Sequence, residues 1–423
     1  EALEEAIVSF RTRGDLPSVA GAMDTLGVVS RSLGDPRWMH LPDEALAMLE
    51  PLPPSPQLVG ALLSASTRES LQGRHANALR FAERALSLAD ELDLPRPARA
   101  MGLAANSRIE MGDADGLQEF REAIELASQA GRGRLAADLT NSLGVCLWAF
   151  EGPAAALQVF REGVSFADAR GLSAQSDNNS VSALDALVDM GGYDEVSVVA
   201  ANMSPRLEAS GNVFGLSVIR ATLARIATLQ GRANEVAGSL DWLEASTRSL
   251  GSAEFMVFGL GSSASARATL GQEDAAITLL VELEAYSAAR DNEYYAALLP
   301  AMVRTALRFG EASLADRFVG RYEPRYPYAE HSVVTAEASI AEDRGDLESA
   351  AEGYADAADR WDRFGVVHEH GFALLGHGRC LLGLDRSAEA GPIFEQAQTI
   401  FGRLHAAPAL AETDALLKQL NVE

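Results

Sequence analysis

A glycine returns along this chain at nearly fixed intervals. It stands at Gly73, Gly112, Gly152, Gly192, Gly231, Gly271, Gly310, Gly345 and Gly383, in steps of 39, 40, 40, 39, 40, 39, 35 and 38 residues. A period of this length, kept through most of 423 residues, marks a stacked array. Each unit of such an array buries its apolar face against its neighbours. The array grows lengthwise, so the length does not call for two or three closed domains.

The residues around each glycine give the unit its form. In "ALLSASTRESLQGRHANALRFAERALSLADEL" (61–92), Ala78, Phe81, Ala82, Ala85 and Leu88 fall on one face of a helix. A second helical stretch precedes Gly73, and the glycine supplies the left-handed backbone that reverses the chain. Each unit therefore reads as a helix–turn–helix hairpin, and the fold class as all-α. Seven positions before the glycine most residues are small, as in Ser66, Ala105, Ala224, Ala264 and Ala338, with Asp185 an exception. Five positions after it stand Ala78, Leu117, Leu157, Ala276, Ala315, Ala350 and Ala388. A few positions further come Phe120, Phe160, Leu240, Phe318, Tyr354 and Phe394. Small residues let helices approach, and the larger ones are expected to plug into the next unit.

This order of small residue, glycine, alanine and aromatic resembles the tetratricopeptide repeat. "GDLESAAEGYADAADRW" (345–361) and "GRHANALRFAERAL" (73–86) are the closest fits, and the resemblance covers roughly residues 57–405. It implies a right-handed superhelical α-solenoid. The units, about 39 residues long, exceed the family length and lack its early tryptophan. HEAT and armadillo arrays, and a helical bundle with accidental periodicity, are the alternative architectures.

The expected organisation is an N-terminal helical hairpin over 1–34, turning at Gly14 and Asp15. An irregular, proline-rich break over 35–56 follows, with one short helix near 43–50. Nine repeats fill 57–405, and a capping helix spans 406–423. Gly14 and Gly73 are 59 residues apart, one and a half units, which suggests a hinge or a register shift in the break. The first residue is Glu1, inside a helical pattern, so the chain is expected to be part of a longer polypeptide.

Composition excludes several classes of function. The net charge is −25, a surface that repels nucleic-acid phosphates and anionic membranes. No apolar run is long enough to span a bilayer, and no signal peptide is expected. Cys146 and Cys380 are far apart and read as reduced thiols of a cytoplasmic protein. Lys418 is the single lysine, so no phosphate-binding loop of the G-x-x-x-x-G-K-[ST] type exists. "GLGSSA" (259–264) matches a dinucleotide pattern but lies within a helix, where small residues serve packing. His368, His370, His377 and Cys380 form a loose cluster without the i, i+4 ligand spacing of a metal site. No catalytic residue, cofactor or metal is expected in this segment.

In tetratricopeptide arrays the first helix of each unit lines the concave groove. On that basis the groove columns lie thirteen, ten, six and three residues before each glycine. They contain Asn106, Asn179, Arg225, Arg304 and His377, polar residues that an apolar core would not accept unpaired. These five are the candidate contacts to a protein or peptide partner.

Two stretches are similar to a narrower group. "EALAMLEPLPPSPQLVGALLSAS" (44–66) and "PIFEQAQTIFGRLHAAPALAETDALL" (392–417) resemble the two ends of the helical region in bacterial signalling ATPases of the STAND type. The arginine-rich, lysine-poor composition suggests an actinobacterial source. The resemblance implies a sensor and scaffold arm that regulates an N-terminal ATPase, with an adenylate/guanylate cyclase domain in the nearest members. ATP and Mg would belong to that parent module. A stand-alone adaptor, or the sensor arm of a LuxR-type regulator, is the other expectation.

Overall fold

The computed structural model of the chain describes residues 2–420. Among them are 22 α-helices, three short 3-10 turns and no strand. The chain is an all-α solenoid of the tetratricopeptide-like kind. Its helices alternate between two layers. The even-numbered ones, α2 (Leu16–Ser32), α4 (Pro56–Leu71), α6 (Ala98–Glu110), α8 (Gly133–Phe150), α10 (Ser173–Asp189) and α12 (Val213–Leu229), pack side by side. The layer continues through α14 (Ala253–Thr269), α16 (Glu293–Arg308), α18 (Pro327–Asp343), α20 (Val367–Gly383) and α22 (Ala407–Leu420). The odd-numbered helices, such as α5 (His75–Glu91), α7 (Gly116–Gln129), α9 (Pro153–Asp168) and α11 (Tyr193–Ser210), form the outer layer.

The register starts earlier than the sequence reading placed it. Gly34 has φ +72° and lies 39 residues before Gly73, so it is the turn glycine of a complete unit. In that unit α2 is the inner helix and α3 (Leu41–Leu49) the outer one. The outer helix is short because Pro36 starts a single 3-10 turn and Pro51 stops the chain from continuing helically. Helix α1 (Ala2–Thr12) is then the outer helix of a preceding unit, and no half-unit is missing at 35–56. Two turn positions also move. Gly191 rather than Gly192 takes the left-handed conformation, and Asp385 (φ 59°) does so in place of Gly383. Aspartate tolerates that region through its short polar side chain.

A second ladder of positive-φ residues closes the outer helices. It runs through Gly131, Gly171, Gly211 and Gly251, 40 residues apart, and returns at Gly365 and His405. In these hairpins both ends are thus fixed by backbone chemistry rather than by packing alone, whereas α15 (Glu273–Ala285) and α17 (Ala312–Gly320) end at Tyr286 and Arg321 with negative φ.

The aromatic column is buried: Phe120, Phe160, Phe318 and Phe394 are at most 1% exposed. Each buried ring contributes about 1.5–3 kcal/mol of transfer free energy. Phe160 and Phe394 pack against their own unit at Gly144 and Gly378, where an added Cβ would come within 2.4 Å of the ring. Tyr354 instead packs against Gly376 of the following unit. The expectation that all of these residues reach forward is therefore corrected. For these three rings a missing Cβ on an inner helix marks where the ring packs.

The turns do more than reverse the chain. Gly73 faces the carbonyl of Ala288, Gly112 that of Arg325, and Gly152 that of Phe364; an added Cβ would lie 2.8, 3.0 and 2.5 Å from these oxygens. Hydrogen bonds cross at the same separation. Trp38 Nε1 donates to the Leu250 carbonyl at 3.1 Å, 212 residues on. His75 Nε2 meets the Asp291 carbonyl at 2.7 Å, 216 residues on. The solenoid therefore returns onto itself after roughly five and a half units, so one superhelical turn rests on the next.

Candidate functional site

The inner helices enclose a lumen, and its middle is filled rather than open. Trp148 of α8 lies 5.4 Å from Tyr294 of α16 and 5.0 Å from Tyr328 of α18, ring centre to ring centre. Phe258 of α14 packs on Tyr294 at 5.2 Å. A single apolar cluster consequently extends from Trp148 to Ala409, while the N-terminal units hold two smaller clusters of their own.

A charged group sits within this aromatic packing. Arg225 Nη1 donates to Asp185 Oδ1 at 2.7 Å, and Arg225 Nη2 stands 3.6 Å from Asp189 Oδ1. Asp189 Oδ2 accepts from Trp148 Nε1 at 2.7 Å and from the Tyr328 hydroxyl at 3.1 Å. All of these side chains are buried. One guanidinium faces two carboxylates, and burial raises both against its pull: Asp185 to about 6 and Asp189 to about 7. Nearby, Arg304 grips Glu369 with both terminal nitrogens, at 2.7 and 2.6 Å, and lies over the Phe372 ring at 4.2 Å. Burial would raise Glu369, but Arg304 prevails and holds its carboxyl below the ordinary value.

A third group joins distant units. Glu110 of α6 and Glu293 of α16 hydrogen-bond to each other, which requires a proton between the two carboxylates. Burial pushes Glu293 up to about 7 and Glu110 well above the usual range. A carboxyl group raised in the folded state binds more protons there than in the unfolded chain. Stability therefore falls as pH rises through the folded value. His331 and His368, lowered to about 4 by burial, act in the opposite direction, but only below about pH 6.5, where the unfolded imidazole begins to take a proton. The melting temperature is thus expected to fall between about pH 6.5 and 8. Asp189→Asn, which keeps an acceptor for Trp148 and Tyr328, should flatten that slope. A melting temperature that rises over this interval contradicts the assignment.

The five candidate residues divide among three settings. Arg225 and Arg304 share one neighbourhood, since both act on Glu369 and His368. Both are engaged internally, so neither is a free contact on an open wall. Asn106 lies beside the Glu110–Glu293 pair: its Nδ2 donates to Ser70 Oγ at 3.3 Å and its Oδ1 accepts from Cys146 Sγ at 3.5 Å. His377 is half-buried near Arg386, which precedes α21 (Ser387–Leu404), and Glu389 within it, away from the other four, and burial lowers its pKa.

Asn179 does not line the lumen at all. It is fully buried between inner and outer helices and donates to the carbonyls of Gln175 at 2.9 Å and Ala137 at 3.4 Å. Gly163 of α9 makes room for it, since a Cβ there would lie 2.2 Å from Asn179 Oδ1. Gly163→Ala should cost roughly 1–3 kcal/mol by overpacking, despite alanine's better helix propensity. Adding Asn179→Ser should recover part of that loss in a double-mutant cycle. Strict additivity of the two changes would refute the contact.

One column carries contacts that the groove reading missed. Phe214, Glu254, Glu293 and Tyr328 each lie seventeen residues before a turn glycine, in the first turn of an inner helix. All four make long-range contacts with other inner helices: Phe214 and Glu254 meet Arg31, Glu293 meets Glu110, and Tyr328 meets Asp189 across the lumen. Large polar or aromatic residues recurring at a helix start were the available signal.

Among the described residues no group of three or more His, Cys, Asp or Glu side chains is arranged to hold a metal. No described helix is long and apolar enough to cross a membrane. In "GLGSSA", an added Cβ on Gly259 would collide with Thr247, and one on Gly261 would come within 2.9 Å of Leu298, so these glycines serve helix packing.

A solenoid of tetratricopeptide-like hairpins defines the class of the fold. Among solved structures the chain is similar to the Cut9–Hcn1 hetero-tetramer of the APC/C. The TM-score is 0.53 at 12% identity, over 98% of this chain and 88% of that one. Yeast Tom70 aligns with a TM-score of 0.36 at 12% identity, over 100% and 96% of the two chains. No family model and no curated protein matches the sequence.

Proposed function

We propose that this chain is a non-catalytic sensor and scaffold segment of a larger bacterial signalling protein. It binds a protein, peptide or small ligand and so regulates an N-terminal STAND-type ATPase, together with an adenylate/guanylate cyclase module where one is present. ATP and Mg act in those parent domains. One observation carries the reading: successive superhelical turns rest on one another through polar contacts, as in Trp38 to Leu250 and His75 to Asp291. Polar contacts of this kind exchange for water when the turns part, so two pitches of the superhelix lie within reach of a ligand's binding energy. Small rotations per unit then add up over the array.

The test compares the complete parent protein with a version lacking residues 1–423, measuring ATP hydrolysis and cyclic-nucleotide formation. A changed basal rate supports regulation. Equal rates, with a partner still recovered on the isolated segment, would instead identify a stand-alone adaptor.

A further inference from the structure

The lumen is filled in its middle but keeps an open cavity at its N-terminal end. This cavity measures about 210 Å³ and lies between α2, α3, α4, α6, α10 and α12. At ~30 Å³ per water it has room for about seven waters, the bulk of a metabolite of amino-acid size. One side is apolar, built by Met23, Gly27, Ala45, Ala61 and Phe214. The other side carries Arg31 and Arg99, two arginines with most of their donors unused.

The Arg31 guanidinium donates no hydrogen bond to a described residue. Its nearest carboxylate, on Glu254, is 3.7 Å away, and its guanidinium lies over the Phe214 ring at 4.7 Å. Its side chain is 29% exposed, so the free donors are reachable. Burial lowers its pKa, with Glu254 opposing only in part. Arg99 makes one long hydrogen bond, at 3.3 Å to Thr67 Oγ1, and forms no ion pair within 4.0 Å among the described residues. The third arginine of the wall, Arg68, differs: it holds Asp43 at 2.6 and 2.8 Å and Glu69 at 2.8 Å. The contrast matters, because most arginines elsewhere in this acidic chain are engaged by carboxylates. Asp24, hydrogen-bonded to Ser64, also lines the cavity and adds one negative charge. Two under-used guanidiniums against that carboxylate and the more distant Glu254 suit a single negative charge better than a dianion.

We infer that this cavity binds a small organic monocarboxylate with an apolar body, its carboxylate held by Arg31 and Arg99 and its body against Phe214 and Met23. The inference rests on the sensor reading and deepens it by naming a ligand class. Binding to the isolated segment is measured without the parent's activity, so either can fail alone.

The test is calorimetric titration of the 423-residue chain with 3-phenylpropanoate, its neutral analogue 3-phenylpropanol, and inorganic phosphate. The acid is expected to bind with a dissociation constant of about 1 mM or tighter, and the alcohol and phosphate at least roughly tenfold more weakly. Arg99→Gln, which gives up one long hydrogen bond, should weaken the acid roughly tenfold. Gly27→Leu should abolish binding while preserving the fold. An added Cβ there meets nothing closer than Leu41 Cδ1 at 3.9 Å, and the larger side chain fills the cavity. Circular dichroism checks that both variants are folded. No heat from the acid at ~10 mM, equal binding of the alcohol, preference for phosphate, or undiminished binding by folded Gly27→Leu would each overturn the inference.

Discussion

Replacing Arg225 with alanine is expected to destabilise the chain by about 3–5 kcal/mol, read as a fall in the urea midpoint. The size of the effect follows from what remains. Asp185 and Asp189 are 3% and 0% exposed, and Arg225 is the cation within salt-bridge distance of both. Without it, two carboxylates stay inside an aromatic cluster, and both must take up protons at neutral pH. The loss should therefore shrink as pH falls toward about 5, where protonation of both groups becomes cheaper. Adding Asp185→Ala and Asp189→Asn to Arg225→Ala should restore much of the stability, because the group is then removed as a whole. A surface arginine such as Arg363, which is 78% exposed and paired with Asp359 at 3.0 Å, should cost less than about 1 kcal/mol when replaced. Similar losses at Arg225 and Arg363 would mean that the lumen is wet.

The second large effect separates the two roles of the turn glycines. Gly152 and Gly345 both close hairpins at positive φ, 95° and 79°, but their turns differ in geometry. Gly152, with ψ 173°, directly caps α9, whereas Asp346 separates Gly345 from its following helix, so the radius of gyration rather than the cost alone separates the two roles. Alanine at either position is strained, by about 1–3 kcal/mol. Among the described residues nothing lies within 4 Å of a Cβ added at Gly345. At Gly152 the Cβ would stand 2.5 Å from the Phe364 carbonyl of the next turn. Gly152→Ala must therefore also push the two turns apart. It should cost clearly more than Gly345→Ala and enlarge the radius of gyration in solution scattering, whereas Gly345→Ala should leave the radius unchanged. Equal costs with unchanged radii for both variants would show that the glycines act on their local turns alone.

These effects also mark how far the sequence could be read. The hairpins were legible because each turn needs a left-handed residue, and glycine at that position repeats visibly. The burial of Phe120, Phe160 and Phe394 was legible for a similar reason, since spacing along a helix fixes its apolar face. The register at the N-terminus was harder to see. Gly34 stands in step with Gly73, but the prolines that shorten α3 disguise its unit as an interruption. The state of the lumen was not legible. Arg225 and Arg304 stand in polar columns, and polarity alone does not distinguish a wet groove from an internally paired core. That distinction depends on the superhelical pitch, which decides that Tyr328 meets Asp189 across 139 residues. Pitch is set by small rotations accumulated over five or six units, and no single unit displays it. Asn179 shows a related limit. Its place between helices depends on the absence of a side chain at Gly163, sixteen residues away on another helix.

The closure of one superhelical turn onto the next is tested most directly by a cysteine pair at Gly34 and Val213. A Cβ built at Gly34 lies 3.5 Å from Val213 Cβ, within the span of about 3.5–4.5 Å that a disulfide bridges. The native thiols can stay in place, because burial pushes Cys380 up to about 12 and Cys146 well above its ordinary value. Gly34→Cys/Val213→Cys is expected to form an intramolecular disulfide under mild oxidation, seen as a faster band on a non-reducing gel and as two thiols lost to alkylation. If both introduced thiols stay free and alkylate in the folded chain, the turns do not meet, and the lumen is the open groove of a looser solenoid.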